Sequence, residues 1–191
     1  GSGTSSAPAH ILANENFYGN GTLSVSPTGT GGTVYDTTQG GFLVTQQAGG
    51  TILLNRGGNS GLVFTAGSAG NTVVPIGRAG NGVTLILAAT DGLAGLGSTE
   101  VLNIEGTSSA VTPQTTVGAN LLYSSGANGI LAPWMVAQNA APGSTLNATF
   151  LTYSGNGTSI GGGAGADIGF IPYTFSNTAA TAWTASSVQQ L

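Results

Sequence analysis

Short apolar runs, separated by glycine and asparagine, set the pattern of this chain. TLSVS (22–26), TVY (33–35), FLVTQ (42–46), TILLN (51–55), LVFT (62–65), TVVPI (72–76) and VTLILA (83–88) follow one another at intervals of about ten residues. GTGG, QGG, AGG, RGGN, AGSAGN and RAGNG stand between them. EVLNIE (100–105), NLLY (120–123), NATFLTY (147–153) and GFIPYTF (169–175) continue the series. Glycine and asparagine accept the positive φ that a sharp corner requires. No stretch repeats its apolar residues with a helical period of 3.6. Strands of this length and spacing, with turn residues between, predict an all-β fold.

Three all-β architectures compete: sandwich, closed barrel and solenoid. A sandwich alternates apolar with polar positions along each strand, whereas LVF and LILA are unbroken apolar runs. The turns are also near-uniform, and stacked corners favour small residues and ladders of Asn and Thr. These features predict a right-handed parallel β-solenoid, with an antiparallel β-sandwich as the alternative. A coil of roughly 20–25 residues would give eight or nine coils.

The expected organisation is one β-repeat module over 1–191, with 1–20 an extended end and a less regular part from 89 onward. In ATDGLAGLGSTEVLNIEG (89–106), residues Leu93, Leu96, Val101, Leu102 and Ile104 are expected to cap or flank strands. In NGILAPWMVAQ (128–138), Pro133 breaks strand pairing, so the chain is expected to turn or cross an edge. Trp134 reads first as a plug of the core or of a coil end, and second as an exposed aromatic that stacks on sugar. Trp183 invites the same two readings.

Composition narrows the function more than the fold. Only 4% of the 191 residues are charged, against 40% hydrophobic, and 34 are glycine. Enough apolar material is present to bury a core, which argues against disorder. There is no lysine and no cysteine, so Schiff-base, P-loop and thiolate chemistry are excluded. A net charge of −4 with two arginines offers no footprint for nucleic acid. No apolar run reaches the 18 residues of a membrane-spanning helix, and no signal peptide is expected.

LLNRGGNSGLVF (53–64), NGILAPWMV (128–136) and ATFLTYSGNG (148–157) together resemble the autotransporter-associated β-strand repeat proteins, a family of large bacterial extracellular proteins. The matching positions are Arg56, Gly57, Asn128, Gly129, Ile130, Trp134, Phe150 and Tyr153, and the likeness covers roughly 50–160. AQNAAPGSTLN (137–147) lengthens the link from Trp134 to Phe150, and Asn147 and Thr149 stand near the place where the family often has an acid. The resemblance implies a β-solenoid passenger or stalk segment outside the cell, and it implies no catalytic residues.

The residues themselves point the same way. A hydrolytic triad needs a histidine, and His10 stands alone beside APA near one end. Paired-carboxylate chemistry needs two acids facing each other. Glu100 and Glu105 are an odd number apart and fall on opposite faces of a strand. Asp36, Asp91 and Asp167 would converge only if coils stacked them. Arg56 and Arg78 sit in similar turns, NRGGN and GRAGN, and are expected to bond backbone carbonyls or a nearby acid.

GGGAGADIGF (161–170) holds the core of a calcium β-roll turn, but only once, with Ile168 and Phe170 out of register around Gly169. Asp167 is therefore expected to bond its own turn. Asn20, Asn147 and Asn156 open glycosylation sequons and are read as turns.

No catalytic, cofactor or metal site is expected, and no cofactor. The expected function is an extracellular or cell-surface structural module of a stalk, surface layer or fibre. Its partners would be other copies of itself or flanking repeats of a larger parent protein. Two alternatives are a subunit of a self-assembling filament, joined end to end or by donated strands, and a carbohydrate-binding adhesin using Trp134, Tyr123 and Tyr153 on surface glycans.

Overall fold

A computed structural model describes residues 10–12, 15–17, 20–38, 42–44, 49–67, 76–78, 83–105, 134–139, 148–154 and 169–173. All of them are strand, turn or irregular backbone, with no helix among the described residues, so the chain is all-β. The first strands are β1 (His10–Leu12), β2 (Glu15–Phe17), β3 (Gly21–Val25), β4 (Thr30–Thr38), β5 (Phe42–Val44) and β6 (Gly49–Leu54). They are followed by β7 (Gly58–Gly67), β8 (Ile76–Arg78), β9 (Thr84–Ala89) and β10 (Glu100–Glu105). The last are β11 (Met135–Asn139), β12 (Ala148–Ser154) and β13 (Gly169–Pro172).

Consecutive strands fall on three different sheets. The first sheet has the order β1-β4-β7-β10, the second β2-β5-β8, and the third β13-β12-β11-β9-β6-β3. The first two sheets are wholly parallel. The third is parallel from β3 to β11 and turns antiparallel at β11–β12 and β12–β13, so it is mixed. Three strands thus complete one rung before the chain returns to the first sheet.

This corrects the expected coil length. Stacked positions such as Asn20 and Gly49 are 29 residues apart, and Asn55 and Thr90 are 35 apart. The strand spacing of about ten residues was legible, but three strands rather than two make a rung. Longer rungs mean fewer of them, and the first sheet holds four strands among the described residues. The end at 1–20 contains two strands, β1 and β2, paired in parallel with β4 and β5.

Parallel register places side chains of equal depth in columns. Leu23, Ile52, Leu87 and Ala137 share one column, and Val25, Leu54 and Ala89 another. In the first sheet, Phe64 lies beside Leu102, and Ala66 beside Ile104. Ile52, Leu54, Leu62, Phe64, Leu87 and Leu102 are fully buried and join one hydrophobic cluster. Alternation is clear in β6, where every second residue is buried. In β7 and β9 the alternation persists through LVF and LIL, where Val63 and Ile86 are the half-exposed residues, and gives way to buried runs only beyond Phe64 and Leu87.

The later segments close this stack. Leu96 is buried and Leu93 packs against the core, as their expected flanking role requires, while Val101, Leu102 and Ile104 are themselves strand residues of β10. Pro133 directly precedes a turn at Trp134, and β11 then pairs on both sides, with β9 and β12. β13 reverses direction beside β12 and also lies against β10. A Cβ on Gly169 would collide with the Leu102 carbonyl and the Asn103 side chain, and its φ of 82° suits glycine. Phe170 and Leu151 enter the core there with no exposed surface.

Candidate functional site

The densest group of charged side chains sits at the corner after β6 and β9. The third-sheet ladder runs on past the strand ends into it: the Asn55 amide donates to the Val25 carbonyl (2.9 Å) and the Thr90 amide to the Leu54 carbonyl (3.0 Å). Stacking of these two corners brings Arg56 beside Asp91. Arg56 Nε donates to Asp91 Oδ2 at 2.6 Å, and Nη1 donates to the Asn59 carbonyl at 2.6 Å. Thr99 Oγ1 donates to the same Asp91 oxygen at 2.6 Å. Asn59 in turn closes the loop, its Nδ2 donating to the Arg56 carbonyl at 2.9 Å.

Glu100 enters the corner from inside the stack. Its position in β10 pairs with Leu62 of β7, and it is fully buried. Its carboxylate accepts three donors: the Arg56 amide (2.9 Å) and Thr90 Oγ1 (2.6 Å) on Oε1, and the Asp91 amide (2.8 Å) on Oε2. A buried carboxylate is tolerated only when so satisfied. Glu100 therefore ties the corner at residue 56 to the one at residues 90–91.

The electrostatics follow from this geometry. Hydrogen bonds from Arg56 and then Thr99, helped by the guanidinium charge, hold the Asp91 carboxyl below its usual value against a smaller opposing effect of desolvation. Asp91 in turn raises Arg56, first by the hydrogen bond and then by its charge. Each side chain of this pair is about one-third exposed, at 32%, so the pair is screened by solvent.

The turn geometry needs glycine at two positions here. Gly57 has φ of 59° and Gly92 of 76°. The Asn55 side chain accepts the Gly57 amide at 2.9 Å, an Asx turn. A Cβ on Gly92 would come within 2.9 Å of Asn139 Oδ1. All three charges are engaged in holding these turns, and the network does the chemistry of a clamp.

The expected residues distribute unevenly around this centre. Arg56 bonds a backbone carbonyl and an acid, as read from its turn. Arg78 is not its counterpart: it ends β8 in the second sheet, because 22 positions (78 − 56 = 22) fall short of a full rung. Asp36 lies in the first sheet, buried, beside Phe64 in register, and does not meet Asp91. Glu100 belongs to the corner rather than to a pair with Glu105, whose side chain lies outside the described residues. His10 is placed in β1 beside Asp36 in register; its side chain is likewise outside them.

Trp134 is 5% exposed and part of the hydrophobic cluster. Its carbonyl accepts the Leu85 amide at 2.8 Å. It is the core plug, not the sugar-stacking aromatic, and the adhesin reading loses that residue. Phe150 is exposed on β12, while the side chain of Tyr153 falls outside the described residues. Gly57 is a corner glycine, with a positive φ of 59°. Asn20 accepts the Gly49 amide at 3.2 Å where β3 begins. Tyr123, Asn128, Gly129, Ile130, Asn147, Asn156, Asp167, Ile168 and Trp183 lie outside the described residues.

Sequence reasoning missed the part played by Thr90 and Thr99. The available signal was the turn ATDG (89–92) followed by STE (98–100), two polar clusters flanking a glycine-interrupted loop. No family model, curated protein or solved structure matches this chain.

Proposed function

We propose that the chain is a structural module of a bacterial cell exterior, built as a segment of a right-handed parallel β-solenoid. Its work is mechanical: a portion of a stalk, surface layer or fibre, joined to flanking repeats of a larger parent protein. One observation carries this reading. From β1 to β10 consecutive strands fall in turn on three sheets, and each strand sits in parallel register on its counterpart in the rung before. In such a stack each rung contacts only its neighbours, so length grows by repetition. The charged corner supports it, since Arg56, Asp91 and Glu100 bind one another and the backbone. Residues shared with the autotransporter-associated repeats, Arg56, Gly57 and Trp134, occupy corner and core positions, in keeping with a pattern whose residues are structural. The test is protease shaving of intact source cells, followed by immunoblotting for this chain. Loss of the signal without lysis is expected; a signal protected until lysis would overturn the exterior location.

A second reading, a filament subunit, is favoured by the two unlike ends. β1, β2 and β3 each form the edge of their sheet, with no partner on the outer side among the described residues. Unpaired edges are templates for further pairing. At the other end β13 lies over β10, which obstructs stacking of a second copy there. Joining would therefore run through a strand donated to the β1–β3 rim. Electron microscopy of the purified protein at rising concentration tests it. Filaments are expected; a monodisperse monomer by light scattering would rule it out.

A further inference from the structure

We infer that the outer face of the first sheet carries a binding site for an uncharged pyranose ring, a role beyond the mechanical reading and independent of it. A half-open groove of about 190 Å³ crosses β4, β7 and β10 beside the loop before Glu100. That is smaller than the roughly 300–1,000 Å³ of pockets that hold drug-sized ligands, so it fits one small ring. Its apolar surface comes from Tyr35, Val63 and Val101, which stack side by side in register on the outward side of the three strands. Its polar rim includes the Ser60 and Thr99 hydroxyls. Both already donate, Ser60 to the Gly31 carbonyl at 2.7 Å and Thr99 to Asp91, which leaves their oxygens as acceptors for a ligand hydroxyl.

Asn103 supplies the second, independent observation. It lines the same groove, is 1% exposed, and its Oδ1 has no hydrogen-bond partner. A buried amide oxygen left unpaired is unfavourable, and a ligand hydroxyl would satisfy it once the Asn103 side chain turns the oxygen from Gly169 into the groove. The absent Cβ of Gly169 leaves that oxygen its room on the far side. Among the groove's side chains none is a carboxylate, a guanidinium or an imidazole. A site with an apolar floor, acceptor hydroxyls and no ionic group matches the two faces of a neutral sugar, C–H on one side and O–H around the edge. It offers nothing to neutralise a phosphate or a uronate.

Saturation-transfer difference NMR on the purified chain tests this. The probes are methyl glucoside, methyl galactoside, methyl mannoside and methyl N-acetylglucosaminide, with methyl glucuronide as the charged comparison. Transfer to at least one neutral pyranoside is expected, at least fivefold stronger than to the glucuronide. Tyr35→Ala should abolish it and Tyr35→Phe should keep it. Ser60→Val, at an exposed position, should block the groove without disturbing the core, so it decides the matter if Tyr35→Ala fails to fold. Thr22→Ala on β3, away from the groove, should leave binding unchanged. The inference is overturned if no neutral pyranoside receives saturation, if the glucuronide does so equally, or if transfer survives Ser60→Val.

Discussion

Removing the Glu100 carboxylate leaves the Arg56 and Asp91 amides without their partner at a part-buried corner, and leaves the Thr90 hydroxyl only the longer bond to Asn55 Oδ1. Orphaned buried donors cost about 1–3 kcal/mol each when nothing replaces their partner. Glu100→Ala should therefore lower stability in urea by about 2–3 kcal/mol. Glu100→Gln keeps one acceptor but turns an amide NH₂ towards a backbone donor, so a loss of about 1–2 kcal/mol is expected. Equal midpoints for wild type and Glu100→Ala would refute the clamp. Asp91 gives a pH signature. Its folded pKa lies below the unfolded value of about 3.9. The pair's stabilisation is thus complete above that range and fades as pH falls through the depressed folded value. The gap in melting temperature between wild type and Asp91→Asn should be present at pH 7 and close as pH drops below about 4. It should also shrink in high salt, because the pair is exposed. These contacts were only half legible in the sequence. NRGGN announced an arginine corner, but no spacing rule joins Arg56 to Asp91 or Glu100, since that contact depends on rung length.

At the scale of elements, β10 was legible residue for residue, because EVLNIE is bounded by clear turn residues. β11 was not. Pro133, where a break in pairing was expected, lies outside the described residues, while the residues just after it form a strand that pairs on both sides. The antiparallel turn-back of β12 and β13 was also hidden, as strand direction leaves no mark in a short apolar run. That pair covers the open end of the core with Leu151 and Phe170. Phe170→Ala should cost about 3–5 kcal/mol, typical of a fully buried aromatic. Gly169→Ala should be destabilising as well, by about 1–3 kcal/mol, from its positive φ and the approach of the Leu102 carbonyl. Chemical denaturation measures both; a neutral Gly169→Ala would mean that β13 does not approach β10 so closely.

For the whole molecule, the all-β class follows from strand spacing and turn residues alone, whereas rung length and register depend on contacts between residues tens of positions apart. The central claim is that rungs stack in parallel, with Thr22 beside Thr51 on the outward face of β3 and β6. The chain has no cysteine, so an engineered pair is read without background. Neighbouring strands lie about 4.8 Å apart, inside the roughly 4.4–6.8 Å Cα window of a disulfide. Thr22→Cys with Thr51→Cys should therefore cross-link on mild oxidation and raise the melting temperature. Thr22→Cys with Leu53→Cys, displaced by two residues along the same face, should stay reduced. Cross-linking of the displaced pair, with none between positions 22 and 51, would contradict the parallel stack.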